Sequence, residues 1–258
     1  MDLNLSEKVA FVAGSSRGIG YAIARAFLVE GARAVVTGRQ AEPLNRAAAI
    51  LDGEFGHERV LAYCGDLTRD EQIAESLAQT LARWGKIDCL IANIGTGIGK
   101  PGWQLSQSDW DITFEINFWS SIRLVQAALP TLVRAGSGSV TFIGSIVGLE
   151  STPAPLSYSA AKAALANYSK NLARQMGQHG IRVNYVAPGN VLFPGGSWEQ
   201  KLAQEPERLR HYIETEVPLR RFGTPEEIAD LVVFLSSDRA AFITGACVVA
   251  DGGQTRGM

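Results

Sequence analysis

Short, almost wholly apolar runs alternate along the chain with longer stretches in which apolar residues recur at helical spacing. Val9–Ala13, Arg33–Thr37, Val60–Cys64, Ile87–Ala92, Ser139–Ile143, Ile181–Val186 and Ala246–Ala250 read as strands. Tyr21–Leu28, Glu42–Leu51, Arg69–Trp84, Gln107–Ala135, Ser157–Gln178 and Pro225–Leu235 read as helices. Strands without a polar face need cover on both sides, which predicts an α/β protein of Rossmann type: a doubly wound parallel sheet of about seven strands with helices on both faces. No linker or break in composition interrupts the pattern, so one domain over residues 1–258 is expected.

Ligands of such sheets bind at the carboxyl ends of the strands, and the strand exits are unusually rich in small and polar residues. The first carries Gly14-Ser15-Ser16-Arg17-Gly18-Ile19-Gly20, the second Gly38-Arg39 and the third Asp66-Leu67. Asn93-Ile94-Gly95, Gly144-Ser145 and Pro188-Gly189 follow the next three. A glycine turn between strand and helix leaves backbone N–H groups free at the positive end of the helix dipole, a seat for pyrophosphate. Gly14 would allow the sharp turn, Gly18 the close approach of backbone to phosphate, and Gly20 the packing of helix on strand. Three residues rather than one separate the first two glycines, and such a turn also serves as a plain strand-to-helix connection.

Composition narrows the partner class. With 24 basic and 26 acidic residues and a net charge of -2, no global field draws the chain to nucleic acid or an anionic membrane. Neither a signal-like N-terminal stretch nor a bilayer-spanning run of about 18 apolar residues occurs, so a cytoplasmic location is expected. The three cysteines, Cys64, Cys89 and Cys247, read as reduced core residues, and no metal site is expected.

Tyr158 and Lys162 stand four apart on a helix that Ser157 could begin, hence one turn apart on one face. An ammonium beside a phenol should draw the phenol's pKa down and make Tyr158 a general acid and base. An interfacial tyrosine with a solvated lysine is the plainer reading of the pair. Ser145, at a strand exit, could hydrogen-bond a substrate oxygen.

Gly14, Gly18-Ile19-Gly20, Asn93, Asn117, Ser145, Tyr158/Lys162 and Pro188-Gly189, in this order and spacing, resemble the short-chain dehydrogenase/reductase family over nearly the whole chain. The resemblance implies hydride exchange between NADP(H) and a secondary alcohol or ketone, with Asn117, Ser145, Tyr158 and Lys162 as the catalytic set. Tyr158 would handle the proton at the carbinol oxygen, Lys162 hold the nicotinamide ribose, Ser145 position the oxygen and Asn117 keep a water in the relay. Gly14, Ser16, Arg17, Gly18, Ile19, Gly20, Arg39, Asp66, Leu67, Asn93, Gly95, Pro188, Gly189 and Val191, with Tyr158 and Lys162, would contact the cofactor. It further implies a homotetramer and a small-molecule substrate. A 3-oxoacyl-carrier-protein reductase is the alternative enzyme, although Gly136 and His179 stand where basic residues tend to meet an acidic carrier. A cofactor-binding regulator without turnover is the alternative from another class.

The second strand ends Val36-Thr37-Gly38-Arg39, without the acidic residue that selects NAD(H). Arg39, with Arg17 opposite, suits a 2′-phosphate, so NADP(H) is expected over NAD(H). Two positions depart from the family pattern: Ile94 replaces a small residue, and Phe193 stands where a Thr or Ser often bonds the nicotinamide amide. Pro194 to Tyr212, opened by Gly195-Gly196, is expected to be a lid over the substrate or a surface excursion.

Overall fold

The computed structural model describes residues 2–257. Seven strands form one parallel sheet: β1 (Val9–Val12), β2 (Arg33–Gly38), β3 (Val60–Cys64), β4 (Cys89–Ala92), β5 (Gly138–Ile143), β6 (Ile181–Pro188) and β7 (Cys247–Ala250), in the order β3-β2-β1-β4-β5-β6-β7. The order reverses between β1 and β4, and a crevice opens beyond the strand ends at such a point. Every residue of β1 and β4 is buried, as apolar runs without alternation require.

Helices α1 (Gly18–Val29), α2 (Ala41–Phe55) and α9 (Pro225–Ser236) supply Phe27, Leu51 and Val232 to a core on one face, where Ala10 and Val12 meet them. On the other face, α3 (Asp70–Trp84), α5 (Ser120–Ala135) and α6 (Leu156–Met176) contribute Leu77, Val125 and Leu165, against Phe11 of the same strand and Ala13 just after it. One strand thus serves both cores by its two-residue period. Burying each such side chain stabilises the fold by about 1.5–3 kcal/mol.

Three local expectations are corrected. The predicted helix 107–135 is two helices, α4 (Gln107–Phe114) and α5, joined by a π turn over Glu115–Trp119. Helix α6 begins after Pro155, and the Ser157 hydroxyl, instead of capping it, donates to Thr113 Oγ1 across the gap to α4 (3.1 Å). Only Cys89 is a core cysteine; Cys64 and Cys247 are exposed on the two edge strands of the sheet, β3 and β7. The 194–212 stretch carries α7 (Ser197–Gln204) and α8 (Pro206–Glu216), and Leu209 and Ile213 give α8 a buried side.

Candidate active site

The glycine turn is built by interlocking hydrogen bonds between the first two strands. Gly14 N donates to Thr37 Oγ1 (2.9 Å), Thr37 N to Ser15 Oγ (2.8 Å), Ser15 N to Thr37 O (2.9 Å) and Ser15 Oγ to Val12 O (2.6 Å). Gly14 and Gly18 have φ of +62° and +57°, the left-handed region that favours glycine. From β4, Asn93 Nδ2 donates to Ala13 O (3.2 Å) and Gly14 O (3.0 Å), so this asparagine clamps the turn. A Cβ on Gly20 would lie 2.3 Å from Gly14 O and 2.6 Å from Asn93 Nδ2, which leaves only glycine at this helix–strand contact.

No side chain caps the first N–H groups of α1, and its first turn holds no acidic residue. The chain leaves the helix dipole uncompensated there, so the turn fits the pyrophosphate of a dinucleotide. Around it stand the other cofactor candidates. Ser16 packs against Gly38, where a Cβ would meet its own at 2.9 Å, and exposed Arg39 follows directly. Asp66 Oδ1 accepts from Thr68 N (3.1 Å) and Thr68 Oγ1 (2.9 Å), which fixes the β3 exit, and Leu67 is buried beside it. Pro188 ends β6, Gly189 N donates to Ala250 O (2.9 Å), and Val191 bridges Gly223. Arg17 reaches Gly195 O with Nη1 (2.8 Å).

At the β4–β5 exits the catalytic candidates converge. Asn117 lies in the π turn, an inserted residue of the kind that recurs at functional sites. It is fully buried; its Oδ1 accepts from Thr96 N (2.9 Å) and its Nδ2 donates to Thr113 O (3.1 Å). Lys162 is buried and donates from Nζ to Ile143 O (3.1 Å). Its Nζ lies 6.0 Å from the centre of the Tyr158 ring. Gly95 fits between Lys162 and Asn117, and Gly97 faces the Tyr158 ring, where a Cβ would make ordinary contact at 3.9 Å. Ser145 lies beside Tyr158, where it favours the ionised phenol, and its Oγ accepts from Val147 N (3.4 Å).

The expected depression of the phenol is not found. Burial raises Tyr158, and neighbouring Ser145 only partly opposes it. The same burial pushes Lys162 down to about 8, so it meets the phenol with a weakened hold on its own proton. Tyr158 is therefore a neutral hydroxyl at pH 7, able to donate its proton.

Tyr185 was not among the expected site residues. Fully buried on β6, its hydroxyl accepts from Ser145 N (3.1 Å) and donates to Lys162 O (3.2 Å), joining the serine's strand exit to the lysine's helix. A Cβ on Gly144 would fall 1.8 Å from its ring. In the sequence it is one more aromatic in an apolar strand, with no signal to set it apart. Ser15, Thr37 and Thr113 were not among the expected site residues either, because their roles are hydrogen bonds to groups distant in sequence.

Among the described residues no group of three or more His, Cys, Asp or Glu side chains could hold a metal ion, and no helix is long and apolar enough to cross a membrane.

Residues 13–255 match the family model described as enoyl-(acyl carrier protein) reductase. The 3-oxoacyl-acyl-carrier-protein reductase of Escherichia coli K12 is 35% identical over 254 residues, 98% of this chain and 99% of that protein. The structure of L-sorbose reductase from Gluconobacter frateurii, complexed with NADPH and L-sorbose, superposes with a TM-score of 0.94 at 32% identity, covering 100% of both chains. That of 7α-hydroxysteroid dehydrogenase, complexed with NADH and 7-oxo glycochenodeoxycholic acid, gives 0.90 at 29% identity, over 99% of this chain and 97% of the other.

Proposed function

Because this chain belongs to the short-chain dehydrogenase/reductase family, and is thus an oxidoreductase moving hydride between a nicotinamide dinucleotide and a secondary alcohol or ketone, we propose that Asn117, Ser145, Tyr158 and Lys162 are its catalytic residues and that it favours NADP(H) over NAD(H). The observation that carries the catalytic assignment is that buried Asn117 and Lys162 flank Gly95 while Lys162 Nζ lies 6.0 Å from the centre of the Tyr158 ring. When bound, the nicotinamide supplies or accepts the hydride. Tyr158 donates its phenolic proton to the carbonyl oxygen in reduction and takes it back in oxidation, while Ser145 holds that oxygen by a hydrogen bond. Lys162 binds the ribose and stabilises the phenolate that forms, and Asn117 fixes the Thr96 backbone and the water that returns the proton. Tyr185 positions Ser145 and Lys162 relative to each other.

The reading for NADP(H) rests on Arg39 at the exit of β2, where no carboxylate follows. Its guanidinium offers paired charge-assisted bonds to a 2′-phosphate. Gly14 to Gly20 hold the pyrophosphate, Asp66 and Leu67 flank the adenine, and Asn93, Gly95, Pro188, Gly189 and Val191 line the nicotinamide half. The chain works as one domain over residues 1–258, assembles as a homotetramer in the cytoplasm, and acts on a small carbonyl or alcohol. A 3-oxoacyl thioester on an acidic carrier is the second reading. Arg134 and Arg174, exposed in the last turns of α5 and α6, favour it.

The test is NADPH oxidation against ketones, ketoses, quinones and acyl thioesters, with Tyr158→Phe as control. The variant should lose turnover yet keep cofactor affinity; substantial residual turnover would overturn Tyr158 as the acid.

A further inference from the structure

The missing side chain of Gly18 points at Phe193. A Cβ built on Gly18 would lie 2.5, 2.7 and 2.8 Å from Cε2, Cζ and Cδ2 of the Phe193 ring, so the ring edge rests on the glycine. The second glycine of a dinucleotide turn leaves this direction empty so that pyrophosphate can approach the backbone. Here an aromatic ring fills it.

The ring is held there from several sides. Phe193 packs against the apolar core under α1, and Gly196 N donates back to Phe193 O (3.0 Å). A Cβ on Gly196 would come within 3.1 Å of the ring. One residue before Gly18, Arg17 Nη1 donates to Gly195 O (2.8 Å), and Gly195 N donates to Glu199 Oε2 of α7 (2.7 Å). Arg17 and Gly18 of the turn are thus engaged by Gly195 and Phe193 of the segment that leads into α7 and α8. Nothing in the sequence announces the contact, since Phe193 and Gly18 are far apart along the chain.

We propose that Phe193 gates the dinucleotide site: its ring covers the pyrophosphate seat on Gly18, the Arg17–Gly195 bond latches it, and the ring must leave before the cofactor can bind. The gate rests on the reading of the glycine turn as the pyrophosphate site. Swinging Phe193 away from Gly18 also moves the Gly195-Gly196 pair at the start of α7. Trp198 lies on α7, stacked on Tyr212 of α8 at 6.0 Å, and reports that movement. Cofactor binding and repositioning of the 193–216 segment become one event.

Stopped-flow tryptophan fluorescence on mixing with NADPH reads the gate directly. For the wild type the observed rate should level off with NADPH concentration, the plateau being the opening rate. In Phe193→Thr it should rise linearly and exceed that plateau at least ten-fold, with tighter equilibrium binding. Hydrogen exchange supplies the independent reading: amides of 195–204 should lose protection when wild type binds NADPH and be unprotected in Phe193→Thr from the start. Identical rate curves and exchange in the two proteins would overturn the gate. Failure of both proteins to bind either dinucleotide would instead overturn the cofactor site itself, and the gate with it.

Discussion

Replacing Gly95 by Ala places a methyl group at the narrowest point of the proposed catalytic set. Its Cβ would lie 2.8 Å from Asn117 Oδ1 and 3.1 Å from Lys162 Nζ, inside the 3.4 Å at which ordinary contact begins. The backbone of Gly95 is not left-handed, so the cost is steric alone. Neither neighbour yields cheaply. Asn117 is pinned at both ends of its amide, and Lys162 is buried with its ammonium on Ile143 O. Overpacking of this kind costs about 1–3 kcal/mol, within which the loosened Thr96–Asn117 bond accounts for about 0.5–1.5. A chain of this size loses about 2–4 °C of Tm per kcal/mol, so melting should fall by several degrees. Rate should suffer more: shifting a catalytic group by about 1 Å can cost about 100-fold. Steady-state NADPH oxidation, thermal melting and direct NADPH titration on the same sample separate the effects. A kcat equal to wild type with unchanged melting would refute the tight packing of Gly95 between Asn117 and Lys162.

Three further outcomes are expected. Lys162 titrates at about 8 when folded and 10.5 ordinarily, so below pH 8 it is charged in both states and the full burial cost is present. Between pH 8 and 10.5 the unfolded chain binds the extra proton, so stability rises with pH, and urea unfolding should show wild type gaining up to about 3 kcal/mol on Lys162→Met across that window; a flat difference would refute the shift. Arg39→Ala should weaken NADPH by about 10- to 100-fold and leave NADH nearly unchanged, as loss of a charge-assisted hydrogen bond requires; equal weakening of both in a binding titration would count against the 2′-phosphate contact. Light scattering at micromolar concentration should give a tetramer, with Trp119 at 48% exposure and fully exposed Phe242 as covered surfaces; a monomer would end that proposal.

Much was decided by the order of residues alone. The alternation of apolar runs and helical stretches determined a doubly wound sheet, because strands apolar on both faces have no other way to be covered. The spacing of Tyr158 and Lys162 put them on one helical face, and the strand-exit rule put Gly14, Asn93, Ser145 and Pro188 along one edge. These are local or topological consequences, and local chemistry carries them. What the tertiary structure alone decided depends on groups distant in sequence. Asn117 became a fixed amide because a π turn interrupts its helix where the pattern reads as continuous. The phenol of Tyr158 was raised rather than lowered, since burial is a property of everything packed around a residue and outweighs the opposing effect of Ser145. Tyr185 joined Ser145 to Lys162 from a strand where it looks like any core aromatic. Phe193 met Gly18 because a segment beyond β6 folds back over the glycine turn. Contacts of this kind follow from where the backbone returns, which no periodicity along the chain encodes.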